Sequence, residues 1–392
     1  MNIFVVYDCE YPWDIRIEKI INSLLNKGHK VKLIARNKTG LPTYEEYEDL
    51  SIYRLPSFKN PKLTGLLNTT LFFNPIWVYK VYSVVKSTNC DLILIRDLPL
   101  AGVGIILSKL FNIPVIVDFA EPYPLTVRQR RKFEKFKIQH LITRNIWFSD
   151  VYEKKVIKHA DSCFVVCEEA KERLISKGAK CHVAIVRNTP ELRKFTPEQE
   201  YEHKSDDTFV IMYVGILIGG RGVEIAIKAM SKVVASNSNI KLVIIGSGKA
   251  EKHLKEKASQ LNLNGCVEFL GWIDNELIPK YINKCDVGIL PFSNTDHINH
   301  TIANKLFDFM AIGKPVICSN VRPMIRILEE AKCGYTFEAD DDLSLAKTIL
   351  DCYQDTEREK LGENGLNQIK TKYNWSIDEK SLLNVVEEKD LP

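Results

Sequence analysis

The sequence carries no strong excess of either charge: 54 Lys and Arg against 50 Asp and Glu leave a formal +4, with a pI near 8.4. A surplus this small permits contact with an anionic surface but argues against a nucleic-acid binder. A second close pair of cysteines is also missing. The ten cysteines are scattered singly, and Cys163 with Cys167 stands without ligand-spaced histidines, so packed, reduced thiols are expected and no metal. The opening Met1–Val6 lacks a basic segment and runs straight into a strand; no secretory leader is expected, and the expected location is cytoplasmic. There is no repeat or low-complexity stretch. No Gly-x-Gly-x-x-Gly follows the first strand, which weighs against a nicotinamide-dependent dehydrogenase. The low hydrophobicity of a disordered chain is absent too, since apolar residues make up 45% and charged residues 27%.

What is present is length and alternation. At 392 residues the chain exceeds the size at which one core stops growing, so two domains are expected. Short β-branched runs alternate with amphipathic helical stretches, the signature of βα units and parallel sheets. In the first half the strands read Ile3–Tyr7, Lys30–Ala35, Asp91–Ile95, Pro114–Asp118, Ser162–Val166 and His182–Val186. The alternation lapses into Pro, Glu, Lys, Ser and Asp around Thr189–Asp207. It restarts at Phe209–Val214 and continues through Lys241–Ile245, Cys266–Leu270, Val287–Leu290 and Pro315–Cys318. The expectation is an α/β chain of two Rossmann-like, doubly wound domains facing each other across a cleft. They would occupy 1–190 and 208–372, with a linker at 191–207 and a C-terminal helix at 373–392 returning to the first domain. Ligands of such sheets bind outside the carboxyl ends of the strands.

Two features of the second half point to an anion there. After Phe209–Val214 comes Gly215-Ile216-Leu217-Ile218-Gly219-Gly220-Arg221-Gly222 and then a helix. A helix N-terminus presents unpaired amides, Gly219 and Gly220 let backbone approach a phosphate, and Arg221 adds charge-assisted bonds. A plain βα turn with a surface arginine is the other reading of the same residues. The second feature is a helix expected over Thr301–Ile312, on which Thr301, Asn304, Lys305 and Asp308 share one polar stripe amid apolar positions. Its positive N-terminus suits a diphosphate, and Asp308 suits two vicinal ribose hydroxyls. A solvated face with a Lys305–Asp308 ion pair is the alternative.

These stretches resemble glycosyltransferase family 4, retaining enzymes of the GT-B fold, and the likeness spans nearly the whole chain. In the first half it rests on Tyr11-Pro12-Trp13-Asp14-Ile15-Arg16, Asn26-Lys27-Gly28-His29-Lys30-Val31, Ala160-Asp161 leading to Cys167-Glu168-Glu169, and Val186-Arg187-Asn188. In the second half it rests on the glycine loop, Val243-Ile244-Ile245-Gly246-Ser247-Gly248, Phe269-Leu270-Gly271-Trp272 and Asn304 through Val316. The resemblance implies that Gly215, Gly219, Gly220, Arg221, Asn304 and Lys305 surround the donor diphosphate. It assigns Asp308 to the ribose and Gly271, Trp272 and Ile273 to the base. The first acid of the family's Glu-x7-Glu motif falls at His300, the usual basic residue after Gly215 is Ile216, and Asp8-Cys9-Glu10 lacks the familiar glycines. Asp118 and Glu121, in Asp118-Phe119-Ala120-Glu121, resemble the family's Asp-x-His-Glu loop; they either bind the acceptor hydroxyl or serve as a cap and turn pair.

The implied function is transfer of a hexosyl or N-acetylhexosaminyl group from a UDP- or GDP-sugar, with His300, Asp118 and Glu121 as candidate catalytic residues. No metal or other cofactor is implied, because basic groups and helix dipoles neutralise the departing diphosphate. A nucleotide-sugar epimerase and a non-catalytic binding protein of the same fold are the alternatives. Two further stretches bear on the acceptor. Leu66–Val85 is aromatic and apolar on all sides, yet Asn68, Asn74, Pro75 and Lys80 argue against a spanning helix. Arg128, Arg130, Arg131, Lys132, Lys135, Lys137 and Arg144 lie among Phe133, Phe136, Leu141, Ile142, Trp147 and Phe148, the composition of a segment drawn to anionic lipid. A saccharide or lipid-linked acceptor, met at the inner face of a membrane, is the expectation; an ordinary packed basic helix is the alternative.

Overall fold

The computed structural model describes residues 1–12, 14–67, 72, 74–133, 145–195 and 208–388. Trp13, Asn68, Leu71, Phe73, Lys135, Phe136, Lys137, Leu141, Ile142, Arg144 and positions 196–207 of the expected linker lie outside the described residues. Two compact units divide the chain: Met1–Arg187 with Asp378–Pro392, and Asn188–Ile377. The first boundary thus falls at Arg187 rather than at 190, and the chain rejoins the first unit at Asp378 rather than at 373. Local contacts account for both shifts. The Tyr373 ring packs on Phe307 at 5.2 Å and the Trp375 amide donates to Pro190 O at 2.9 Å, all within the second unit. Beyond them, Asp378 accepts from Arg187 Nη1 at 3.3 Å and Ser381 Oγ donates to Ile185 O at 2.9 Å, within the first.

In the first unit the strands are β1 (Asn2–Tyr7), β2 (Lys30–Ala35), β3 (Tyr44–Glu46), β4 (Leu50–Arg54), β5 (Leu92–Arg96), β6 (Val115–Phe119), β7 (Ser162–Val165) and β8 (His182–Ile185). They form one sheet in the order β3-β4-β2-β1-β5-β6-β7-β8, parallel except for the β3–β4 pair. Its helices are α1 (Ile15–Asn26), α2 (Pro61–Leu67), α3 (Pro75–Ser87), α4 (Ala101–Phe111), α5 (Tyr123–Phe133), α6 (Ile146–His159) and α7 (Glu168–Ser176). The first helix shows why the sequence folds this way. Asp14 caps it by accepting from the Arg16 and Ile17 amides at 2.9 and 3.2 Å, and Ile17, Ile20, Ile21 and Leu24 bury one stripe completely. Each such side chain contributes about 1.5–3 kcal/mol relative to exposure.

The second unit holds β9 (Phe209–Val214), β10 (Ile240–Ile245), β11 (Val267–Gly271), β12 (Val287–Leu290), β13 (Val316–Ser319) and β14 (Gly334–Phe337), ordered β11-β10-β9-β12-β13-β14 and wholly parallel. Its helices are α8 (Val223–Ser236), α9 (Glu251–Gln260), α10 (Ile278–Asn283), α11 (Asn304–Ala311), α12 (Arg322–Ala331), α13 (Asp342–Gln354) and α14 (Arg358–Thr371); α15 (Trp375–Val386) follows. The expected helix over Thr301–Ile312 is shorter. Ile298–His300 makes a 3-10 turn and Thr301 and Ala303 are extended, so α11 begins at Asn304 and Thr301 leaves the polar stripe. Gly313, at φ +71°, ends it as expected.

Candidate functional site

Because every strand of the second sheet is parallel, the loops after β9, β10, β11 and β12 gather at one edge. The glycine loop is clamped there from both sides. On the β10 side, the Gly215 amide donates to Ile245 O, the Leu217 amide to Ser247 O, and the Ala250 amide to Leu217 O, at 2.9, 2.9 and 3.0 Å. A Cβ at Gly246, where φ is +137°, would stand 1.9 Å from Gly215 O. On the β12 side, the Ser293 amide donates to Gly220 O at 3.3 Å, and a Cβ at Gly222 would meet Pro291 O at 1.4 Å. Gly222, at φ +69°, is also the N-cap of α8, so the loop delivers its chain directly to a helix N-terminus.

Clamping leaves polar groups exposed on the loop. The Gly219 and Gly220 amides meet no acceptor among the described residues. The half-buried Arg221 guanidinium lies 5.2 Å from the centre of the Phe292 ring and ion-pairs with no carboxylate among the described residues. Stacking on an aromatic face holds a guanidinium without consuming its donors. Below it, burial pushes the Tyr213 phenol up to about 12, opposed by the Arg221 charge, and its hydroxyl donates to Ile216 O at 3.2 Å. Ile216 itself is exposed.

The other expected residues of this unit follow later in the chain. Asn304 and Lys305 open α11, with Asn304 exposed and Lys305 Nζ 2.7 Å from Asp308 Oδ2 and 3.4 Å from Asn275 Oδ1. The i, i+3 ion pair is therefore formed, and Asp308 keeps only Oδ1 without a partner among the described residues. Gly271, at φ +73°, closes β11 and accepts from the Gly246 amide at 2.7 Å; Trp272 beyond it is exposed and Ile273 half-buried. His300 Nδ1 lies 2.7 Å from Asp296 O and donates to it, which leaves Nε2 facing away from that contact. Sequence reasoning missed the role of Asn299, whose Oδ1 accepts from the Arg322 amide at 3.0 Å and whose Nδ2 donates to Asn294 at 2.6 Å, tying this loop to α12.

In the first unit the corresponding edge departs from expectation. Asp118 ends β6 but is fully buried, and both of its oxygens are taken by Arg16, at 2.9 and 2.6 Å. Burial raises its carboxyl, but Arg16 and Arg96 outweigh that and hold it below the usual range. It is thus a structural anion and not a group open to an acceptor hydroxyl. Glu121 remains exposed and accepts from Thr126 Oγ1 at 3.2 Å. The residue that sequence reasoning missed is Asp97, after β5, held at φ +64° and ψ 162° with its amide donating to Asp118 O at 2.9 Å. Burial, resisted by Arg96 and reinforced by Asp8, Asp118 and Glu121, pushes its carboxyl up to about 8. The signal was a charged pair, Arg96-Asp97, closing the apolar run Leu92–Ile95.

The two aromatic stretches meet in the same unit. Phe72 packs against Tyr123, Phe148 and Tyr152 with ring centres 6.1, 5.0 and 4.4 Å apart. Trp77 is fully buried, whereas Tyr79 on α3 and Trp147 on α6 are 72% and 73% exposed. On α5, Arg128 pairs with Asp150, and Arg130 and Arg131 are exposed. Among the described residues no helix is long and apolar enough to cross a membrane.

Two units built on largely parallel sheets, the second with a glycine loop feeding a helix at the sheet edge, define a doubly wound α/β protein, and comparison narrows the class. Residues 15–189 match the family model described as a glycosyl transferase 4-like domain, and residues 195–368 the one described as glycosyl transferases group 1. The chain belongs to the family 4 glycosyltransferases. It is 24% identical over 392 residues to an uncharacterized glycosyltransferase of Methanocaldococcus jannaschii, covering 95% of this chain and 93% of the relative. The capsular polysaccharide biosynthesis glycosyltransferase CapM of Staphylococcus aureus is 26% identical over 182 residues, 46% of each chain. Sucrose-phosphate synthase from Thermosynechococcus elongatus superposes with a TM-score of 0.79 at 18% identity, covering 98% of both chains. HepE of Anabaena, in complex with UDP, gives 0.70 at 15% identity, covering 98% of this chain and 99% of that one. These likenesses show the GT-B fold.

Proposed function

We propose that this glycosyltransferase moves a hexosyl or N-acetylhexosaminyl group from a UDP- or GDP-sugar to a saccharide or lipid-linked acceptor, with retention of configuration and without a metal. The observation that carries the reading is the clamped loop with open Gly219 and Gly220 amides beside an Arg221 that no carboxylate among the described residues neutralises. Preorganised donors of this kind stabilise charge as it develops on a departing diphosphate. The N-termini of α8 and α11 add positive dipole ends, and Lys305 adds a cation. Asp308 Oδ1 receives a ribose hydroxyl, the loop Gly271-Trp272-Ile273 meets the base, and His300 Nε2 accepts from a hydroxyl of the transferred sugar. Glu121 orients the acceptor, and the leaving phosphate takes the acceptor proton.

Among the similar proteins, HepE was solved with UDP and with UDP-glucose, which supports a uridine donor. CapM and the amylovoran biosynthesis glycosyltransferase of Erwinia amylovora support a surface polysaccharide as the destination. A phosphatidyl-myo-inositol mannosyltransferase of Propionibacterium freudenreichii is in keeping with a lipid-linked acceptor. Exposed Tyr79 and Trp147 beside Arg130 and Arg131 favour peripheral contact with the inner face of a membrane.

Calorimetry with UDP and GDP in EDTA tests the donor half. Arg221→Ala is expected to weaken binding roughly ten- to a hundredfold, the worth of about 1.5–3 kcal/mol for charge-assisted bonds. An unchanged affinity would remove the assignment. Incubation with UDP-glucose and saccharide acceptors then separates the activities: a transferase releases UDP and gives a glycoside whose anomeric configuration NMR reads, whereas an epimerase alters the sugar and keeps it on the nucleotide.

A further inference from the structure

The close spacing of Cys163 and Cys167 in sequence does not make them partners in space. Cys167 is the N-cap of α7, whereas Cys163, in β7, faces Cys181, the residue just before β8. The two strands are adjacent and parallel, with Ser162 opposite His182 and Cys163 opposite Val183. The two sulfurs stand 3.5 Å apart. A disulfide needs about 2.05 Å, so closing it requires the two sulfurs to approach by about 1.5 Å. Cys163 is fully buried and Cys181, whose sulfur also lies 3.9 Å from Ile157 O, is half-buried, so Cys181 is the more accessible member of the pair.

We propose that Cys163 and Cys181 form an oxidative modification site, at which hydrogen peroxide converts the two thiols into an intrachain disulfide. Cys181 loses its proton, and its thiolate attacks one peroxide oxygen. The O–O bond breaks and the released hydroxide takes up that proton as water, leaving a sulfenic acid. The Cys163 sulfur then attacks the Cys181 sulfur. The S–O bond breaks, and the hydroxyl leaves with the Cys163 proton as a second water. Two thiols are oxidised by two electrons in all, and one peroxide is reduced.

The order of attack follows from the local chemistry. The shared S–H contact holds Cys181 below its ordinary range and raises Cys163, which burial raises further. The thiolate is the nucleophile, so the more accessible member of the pair is also the reactive one. Cys9 is the exposed competitor, but burial of its sulfur and the neighbouring Asp8 carboxyl push it up to about 12. Both cysteines of the pair sit at the amino ends of their strands, the sheet edge opposite Asp97 and Asp118. The link therefore fastens β7 to β8 and leaves the ligand edge unchanged.

The test treats the full-length native chain with equimolar hydrogen peroxide, blocks remaining thiols with iodoacetamide in denaturant, and maps tryptic peptides without reduction. Peptide 159–171 should appear joined to 181–187, lighter than their sum by two hydrogens, and should separate on adding dithiothreitol. Because 159–171 holds both Cys163 and Cys167, the link should persist in Cys167→Ser and vanish in Cys163→Ser and Cys181→Ser. Closing a loop of this length should also raise Tm by several degrees in the oxidised protein, and should not do so in Cys181→Ser. The proposal is overturned if Cys181 stays alkylated while other thiols oxidise, if it proceeds to sulfinic acid, or if it links two chains.

Discussion

Arg16 and Asp118 meet through two buried, charge-assisted hydrogen bonds, while Arg16 Nη1 also donates to Val186 O at 2.7 Å. One guanidinium thus joins α1, the end of β6 and the exit of β8. Removing one partner strands a buried charge, which costs about 3–5 kcal/mol. Asp118→Asn should therefore lower the urea midpoint strongly and leave calorimetric UDP affinity per folded molecule unchanged. The pH dependence has a definite sign. The folded carboxyl titrates below its unfolded value of about 3.9, so the stabilisation is present above that pH and lost as pH falls through the folded value. A variant of unaltered stability that has lost transfer would show that Asp118 acts on substrate instead.

The path of the glycine loop depends on Gly222. Its φ of +69° disfavours a side chain, and a Cβ would overlap Pro291 O at 1.4 Å. Gly222→Ala should force the loop off the β12 side, weakening UDP binding by at least tenfold and lowering Tm by several degrees. Differential scanning fluorimetry with and without UDP reads both effects. Wild-type affinity in this variant would mean that the loop does not bind the nucleotide.

Asp97 should reveal itself through pH. Its folded carboxyl is pushed up to about 8, against an unfolded value of about 3.9, so the folded state binds the proton more tightly. For a raised acid, the associated stability is complete below the unfolded value and is lost as pH rises toward the folded one. Asp97→Asn removes that dependence; its amide oxygen still accepts from Arg96, but without the charge of a carboxylate. The Tm of the variant minus that of wild type should accordingly be more positive at pH 8 than at pH 5. An equal difference at both pH values would refute a raised Asp97.

Periodicity made the two-domain α/β fold legible, and the parallel strands seen in the sequence recur in both sheets. It misses three strands: Leu50–Arg54 alternates but is short and ends on a buried arginine, and the other two lack the pattern. Tyr44–Glu46 is polar and pairs antiparallel at the sheet edge, and Gly334–Phe337 begins with a glycine that lets Val316 O approach a would-be Cβ to 2.0 Å. At the site, the glycine loop could be read because its backbone needs are written as glycines. The Lys305–Asp308 pair could also be read, from its i, i+3 spacing, but Asp118 could not, because spacing says that a charge lies near an edge, not which distant charge has already claimed it. Arg16 is 102 residues from Asp118 in the chain, and no local rule joins them.

Exposed cations on α5 and an exposed tryptophan on α6 are the groups through which a membrane contact can be tested. Arg128 is engaged by Asp150, so its reversal would also break an ion pair; Arg130 and Arg131 are exposed on the same helix. Trp147 is 73% exposed, and its ring can enter the headgroup region without disturbing the core. Each cation near an anionic surface contributes about 1 kcal/mol, an attraction that salt screens. Wild type should therefore sediment with phosphatidylglycerol-containing vesicles at low salt and release at high salt. Arg130→Glu with Arg131→Glu should weaken binding severalfold or more, through lost attraction and added repulsion. Trp147→Ala should weaken it with little change in salt dependence and none in UDP affinity, because its contribution is apolar. Wild type that ignores anionic vesicles at low salt would end the membrane reading, and the donor site would stand independently on its own nucleotide measurements.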